Sequence, residues 1–473
     1  MRKIYLLFTY ILLITVVRSG AQTFNVTVKN GFGSGTYNIG DSVYILANPG
    51  PANTIFDGWT TNGAILSDSF STGTLLKNLS ADVTLTPIYT PATAWTAVLD
   101  SINGSVVYHY FPGPADKLRG VIIFFHGKNG NAKEWFQSVE GRNFLNYSVA
   151  KGYGVLATES TDRILGGTAP FQWNNNFTVA TNPDIKNVGK ILDTLTNRGL
   201  INYATHIYAV GYSQSGNFAS ILSAIKKFSG TCLLNTPGST TAINVTTTPT
   251  YWIPSRNDVF EDSLKLSKCK LNYKILTDRG ISGVLKVHEP FPVTPNRFTR
   301  IAGIDSATSV RIYSLLLSQG YFDSKSFLNF NPAADTSWTI LFQLADTTIT
   351  KAMAIEIANQ VFICYTEDRF HSDEVYQVIQ FFGMFAKWPA GILEEDNQNN
   401  LTVYPNPTSD YLYLKAEKNI IEVRMYDLLG KEVLIQSDSD ISYIDLTGLN
   451  KGLYITVFRA VNNQSIIKKI IKQ

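Results

Sequence analysis

Between residues 23 and 90, apolar and polar side chains alternate in short runs: Phe24-Asn-Val-Thr-Val28, Ser42-Val-Tyr-Ile-Leu46 and Val83-Thr-Leu-Thr86. Asn30-Gly31, Gly33-Ser-Gly35 and Asn62-Gly63 separate them, so the spacing predicts a small all-β unit of hairpins over 22–90. From about 95 to 390 the pattern becomes apolar runs alternating with helical stretches, which predicts an α/β domain with a mainly parallel sheet covered by helices on both faces. Val121-Ile-Ile-Phe-Phe125 reads as a buried strand ending in His126-Gly-Lys-Asn-Gly-Asn131, and Gly152-Tyr-Gly-Val-Leu-Ala-Thr158 as a second. Asp184 to Arg198 carries apolar residues at surface-helix spacing. Val361-Phe-Ile-Cys-Tyr365 is expected to be the last core strand, followed by a loop and a helix whose apolar positions include Val375, Val378, Ile379 and Phe382. Residues 285–350, with Pro290, Pro292, Pro295 and a helical run at Ser309–Leu317, read as a cap insertion, either a substrate lid with an apolar pocket or an ornamental addition. A polar linker at 391–400 precedes a second set of alternating strands over 401–473.

One turn gives this frame its chemistry. Tyr208-Ala-Val-Gly-Tyr-Ser-Gln-Ser-Gly216 is an apolar run that breaks at small residues and continues at helical spacing. It reads as strand, sharp turn and helix with Ser213 at the apex, a nucleophile elbow in which the flanking positions must be small. Ser215 stands where the G-x-S-x-G pattern has its last glycine, with Gly216 adjacent. The bland alternative is a Gly/Ser-rich turn without chemistry.

Composition narrows the setting. The 473 residues are 44% apolar, enough for two or three domains with full cores, and a net charge of +3 with 16% charged residues gives no field for nucleic acid. Met1-Arg-Lys, the apolar run from Ile4 to Val17 and Ser19-Gly-Ala21 read as an export signal over 1–21. No later run approaches the roughly 18 apolar residues of a membrane span, so a soluble mature chain without an integral membrane span is expected. The three cysteines allow at most one bridge, Cys232 with Cys269 being the first pair to consider against three buried thiols. No Cys/His cluster has metal-ligand spacing, and neither metal nor cofactor is expected.

Three resemblances follow from these motifs. The order V-T-V-x-N-G-x-G-S-G-x-Y-x-x-G-D, then Phe56-Asp-Gly-Trp59 and a V-T-L-x-x-x-Y strand, resembles the internalin-type B repeat, which implies a spacer or adhesion module with Trp59 as its core aromatic. The strand ending in His126-Gly127, Gly154-Val-Leu-Ala-Thr158, Trp173-Asn174, Arg198-Gly-Leu-Ile201 and the elbow together resemble the α/β-hydrolase family, in its secreted esterase and polyester-depolymerase-like branch. Leu401-Thr-Val-Tyr-Pro-Asn-Pro-Thr-Ser-Asp410 and Gly452-Leu-Tyr-Ile-Thr-Val457 resemble the C-terminal sorting domain of the type IX secretion system. That implies handling by the secretion machinery and a secreted or cell-surface protein.

The hydrolase resemblance implies roles in the order Ser, acid, His. Ser213 is the expected nucleophile. Asp258, in the turn after Thr248-Pro-Thr-Tyr-Trp-Ile-Pro254, is the expected acid, with Glu261 and Asp262 competing. His371, after the expected last strand, is the expected base in preference to His288, which has no core strand expected before it. The main-chain N–H groups of Lys128 and Gln214 are implied as the oxyanion hole and His126 as a brace of its loop. Trp173 is implied at the substrate site, or else it is a packing anchor. The expected activity is hydrolysis of a carboxylic ester through an acyl-enzyme. A serine peptidase on the same fold and a non-catalytic binding scaffold are the rival readings.

Overall fold

The computed structural model describes residues 22–386 and 401–473, apart from 52, 167, 260–261, 428–431 and 462–464. The expected export signal, the linker at 391–400 and the competing acid Glu261 lie outside the described residues. The chain forms two compact units, one of residues up to 47 with 58–88, the other of 48–57 with 89–473.

The first unit is all β. One sheet runs in the order Gly35–Asn38, Thr23–Val28, Val83–Pro91, Thr54–Thr61, and a second contains Gly31–Phe32, Val43–Ala47, Gly73–Lys77 and Ile65–Leu66. Trp59 is buried, and its indole N–H donates to the Ser71 carbonyl at 2.9 Å. A unit this small needs such a side chain to fill its core.

The second unit is built on an eight-stranded sheet: β1 Val98–Ile102, β2 Ser105–Tyr110, β3 Gly120–Phe125, β4 Tyr153–Thr158, β5 Ile207–Tyr212, β6 Gly230–Leu234, β7 Thr250–Ile253 and β8 Gly283–Leu285. The order across the sheet is β8-β7-β6-β5-β3-β4-β2-β1. Strands β3 to β8 pair in parallel and β2 pairs antiparallel with β4. Strands β3, β4, β6 and β7 are buried along their whole length, as continuous apolar runs under two helical layers must be. On β3, Val121, Ile123 and Phe125 enter one core and Ile122 and Phe124 the other. Helices α1 Val139–Ala150, α2 Pro183–Asn197, α3 Ser215–Lys226 and α4 Lys265–Asp278 connect or cover these strands. Asn182 caps α2 by accepting from Ile185 N–H, and Pro183 sits at the first position, where its missing N–H costs nothing. This strand order defines an α/β-hydrolase fold.

After β8 the sheet ends, and one expectation fails. Val361–Tyr365 is not a strand but the last turns of α6, Lys351–Tyr365, a helix begun by Thr350 accepting from Met353 N–H. The last strand is β8, three residues long, and His288 follows it directly. The excursion expected at 285–350 carries α5, Ser306–Ser318, and runs on through α6 to α7, Val375–Phe385. The proposed bridge is also absent: Cys232 on β6 and Cys269 on α4 are free, as is Cys364, and all three are buried. Burial pushes the Cys269 and Cys364 thiols up to about 12, so they stay protonated and inert.

Residues 401–473 form two further sheets, Thr402–Tyr404, Tyr411–Lys415 and Tyr443–Asp445 in one, Glu432–Ser437, Ile420–Tyr426, Gly452–Ala460 and Ser465–Lys472 in the other. Their core is their own, from Leu401 to Ile470. No helix among the described residues is long and apolar enough to cross a membrane.

Candidate active site

The turn from β5 to α3 puts Ser213 at φ +52°, a left-handed conformation that a non-glycine residue adopts at a cost. Two glycines make room for it. A Cβ on Gly211 would lie 2.7 Å from Ala219 Cβ and Gly216 Cα, and one on Gly216 would lie 2.0 Å from Thr236 Cγ2. Ser215, the departure from the glycine pattern, is fully buried; its hydroxyl accepts from Tyr212 N–H at 2.9 Å and donates to the Phe125 carbonyl at 2.8 Å. It thus ties the elbow to β3 through a bond that glycine could not make.

The Ser213 hydroxyl donates to Asp368 Oδ2 at 2.9 Å. Asp368 belongs to the segment after α6, which is pinned onto the carboxyl edge of the sheet. Tyr212 donates its hydroxyl to the Asp368 carbonyl at 2.8 Å, Asn235 Nδ2 donates to the Arg369 carbonyl at 2.9 Å, and Asn257 N–H donates to the Thr366 carbonyl at 3.2 Å. Behind Asp368 stands Lys265, whose Nζ is 3.7 Å from Asp368 Oδ2 and donates to both oxygens of Asp258 at 2.7 Å. Ser213, Asp368, Lys265 and Asp258 therefore form one connected line in which three members are buried. An open cavity of about 470 Å³ lies against it, lined by Ser213, Gln214, Asn217, Asn235, Thr236 and Lys265 among others. Among the described residues, none of those lining the cavity comes from 285–350, where the cap was expected, and its walls mix polar with apolar surface.

The structure does not bring Ser213, Asp258 and His371 together. Asp258 is occupied by Lys265. His371 is buried and stacked on His288 with ring centroids 3.8 Å apart, and Glu374 bridges the two, Oε2 at 3.1 Å from His371 Nδ1 and Oε1 at 3.2 Å from His288 Nδ1. Main-chain bonds run from Ser213 N–H to the Leu234 carbonyl, from Asn235 N–H to Ile253 and from His288 N–H to Pro254. His288 is thus three strands from the nucleophile, roughly 14 Å at the usual strand spacing. No hydrogen bond joins either histidine to Ser213 among the described residues. Burial by itself would lower His371, but the Glu374 carboxylate, with Asp373 and Glu140, outweighs it and holds the imidazole above its ordinary value. Burial would likewise raise Glu374, yet His288 and His371 hold it well below the usual carboxylate range.

The expected oxyanion donors come from two segments, the elbow itself and the stretch after β3. Gln214 opens α3, so its N–H belongs to the helix's unpaired first set. Its side-chain amide faces the backbone of Trp173, Nε2 donating to the carbonyl at 3.1 Å and Oε1 accepting from N–H at 3.3 Å. Lys128 is exposed in the segment after β3. His126 braces that segment: Nδ1 donates to the Gly127 carbonyl at 2.8 Å and Nε2 accepts from Ser160 N–H at 3.2 Å, which fixes the neutral tautomer. Burial pushes His126 down to about 4. Trp173 is a packing anchor and does not line the cavity. Its indole N–H donates to the His126 carbonyl at 2.9 Å and its ring stacks on Phe218 at 4.7 Å, with only 2% of its surface exposed. Of the residues the sequence left unassigned, Asp368 lay inside the segment expected to carry the base. Lys265 had no signal beyond an ordinary helix-surface lysine.

Residues 402–473 match the secretion system C-terminal sorting domain, so the chain carries the address of an exported protein. No curated protein matches the chain. Among solved structures, a thermostable esterase is 14% identical over 56% of this chain and 90% of its own, with a TM-score of 0.31. A thermostable carboxyl esterase from Bacillus coagulans is 11% identical over 42% and 90%, at 0.32, and the acetyl xylan esterase from Aspergillus awamori is 10% identical over 39% and 81%, at 0.31. These likenesses are loose, and the fold assignment rests on the strand order.

Proposed function

We propose that the chain is an exported serine hydrolase that cleaves carboxylic esters through an acyl-enzyme on Ser213. The observation that carries this reading is a serine held at positive φ beside an open cavity, with its hydroxyl proton already directed at a buried carboxylate. Ser213 Oγ attacks the ester carbonyl as Asp368 Oδ2 takes its proton, and the N–H groups of Gln214 and Lys128 receive the oxyanion. Collapse expels the alcohol, which recovers the proton from Asp368. Water then attacks the acyl group as Asp368 accepts its proton, and collapse breaks the bond to Ser213 Oγ, which recovers that proton from Asp368 as the acid leaves. Lys265, fixed by Asp258, keeps the Asp368 carboxylate oriented. The type IX machinery delivers the enzyme to the medium or the cell surface, with the N-terminal β unit as a spacer.

Hydrolysis of short p-nitrophenyl esters and labelling by a fluorophosphonate test the assignment. Ser213→Ala is expected to abolish both, and Asp368→Asn to lower kcat by on the order of 10²–10⁴. His371→Ala should retain kcat within about tenfold. Labelling that survives Ser213→Ala would move the nucleophile, and a collapse in His371→Ala with Asp368→Asn unharmed would return the base to the histidine.

A further inference from the structure

The two histidines left out of that mechanism are arranged for something else. Glu374 lies on the Nδ1 side of both rings: Oε1 is hydrogen-bonded to His288 Nδ1 at 3.2 Å, which leaves His288 Nε2 as the lone-pair nitrogen, and Oε2 is paired with His371 Nδ1 at 3.1 Å without hydrogen-bond geometry. Both Nε2 atoms are buried and have no hydrogen-bond partner among the described residues. So are both carboxylate oxygens of Asp373. Unsatisfied polar atoms are costly in a protein interior, and here one nitrogen from each imidazole and one Asp373 oxygen lie within 4.8 Å of one another.

A carboxylate behind a histidine, fixing its tautomer and aiming the opposite nitrogen, is how proteins hold metal-ligating imidazoles. We propose that His288, His371 and Asp373 hold a divalent transition-metal ion, with Glu374 as the positioning residue for both rings. Two nitrogens and one carboxylate oxygen suit zinc, whose bond lengths of about 2.0–2.2 Å require the donors to draw in by roughly 1 Å. Three carboxylates, Glu140, Asp373 and Glu374, face His371, with Arg297 and Arg300 beside them, and Arg300 lies nearer Glu140, at 3.2 Å, than Asp373, at 3.6 Å. The ligands are 83 and 2 residues apart in the chain, so no motif announces them. The site stands three strands from Ser213 and is independent of the ester reading.

Zinc titration of the chelator-treated full chain by calorimetry, with cobalt absorption spectra as a second readout, tests it. One equivalent is expected to bind to the wild type and equally to Ser213→Ala. Glu374→Gln should weaken affinity about 10- to 100-fold, and Asp373→Asn and His371→Gln should remove the site. Circular dichroism separates lost binding from lost folding, and the cobalt spectrum of the wild type needs no variant. Absence of stoichiometric zinc in the folded wild type, or unchanged affinity in folded Asp373→Asn and His371→Gln, overturns the proposal.

Discussion

A buried ammonium between two carboxylates makes Lys265 the most exacting residue of the site. Removing one partner of a buried pair leaves an uncompensated charge, whereas removing both with apolar replacements can be nearly neutral. Lys265→Met should therefore cost about 3–5 kcal/mol by denaturant unfolding, with much of that recovered in Lys265→Met/Asp258→Leu. A single-mutant cost below about 1 kcal/mol would show that the line from Asp258 to Asp368 carries no coupling. His126 sets a pH limit. Its folded value is depressed, so its contribution is complete above about 6.5 and is lost as pH falls towards 4, where protonation of Nε2 expels the Ser160 N–H. Over that window stability should fall by about 3 kcal/mol from this group alone. His126→Asn should flatten the dependence between pH 6.5 and 4, and an unchanged slope would assign it to other groups.

At the scale of elements, much of the domain was legible because its strands and helices announce themselves by length and period. Val121–Phe125, the 183–197 helix and the elbow all lie where their patterns put them. The expected strand at 361–365 failed because a short apolar run looks the same as the buried end of a helix, and only the preceding Lys351-Ala-Met-Ala-Ile-Glu-Ile-Ala358, rich in helix formers, distinguished them. Strand β8 was missed because three residues carry no period. The missed strand hid that His288 follows β8, and Asp368, inside the segment expected to carry the base and hydrogen-bonded to Ser213, was visible as a partner only once the chain was folded. The elbow itself can be tested. Gly216→Ala should destabilise by about 1–3 kcal/mol and depress esterase activity, because its methyl meets Thr236 Cγ2. Adding Thr236→Ala should restore part of both, and failure of the double variant to improve on the single would place the strain elsewhere.

On the scale of the molecule, the 401–473 region keeps its apolar residues to itself, and the hydrolase cores contain none of them. A chain ending at residue 400 should accordingly retain wild-type ester hydrolysis and the melting transition of the hydrolase domain. Expressed in a host with the matching secretion system, it should remain in the periplasm, while a reporter carrying residues 401–473 should leave it. Export of the truncated chain would detach the sorting region from its assigned role.

The stacking of His288 on His371 has a topological consequence. The backbone leaves the sheet at the first ring and returns at the second, so everything between is a closed detour whose two ends are held side by side. For a flexible loop, each doubling of length costs only about 0.6 kcal/mol in closure entropy. Lengthening an exposed far turn of the detour, such as Asp323–Lys325, therefore costs little in closure entropy. In an exported protein, that makes such a turn a place where new surface can be added at little thermodynamic cost.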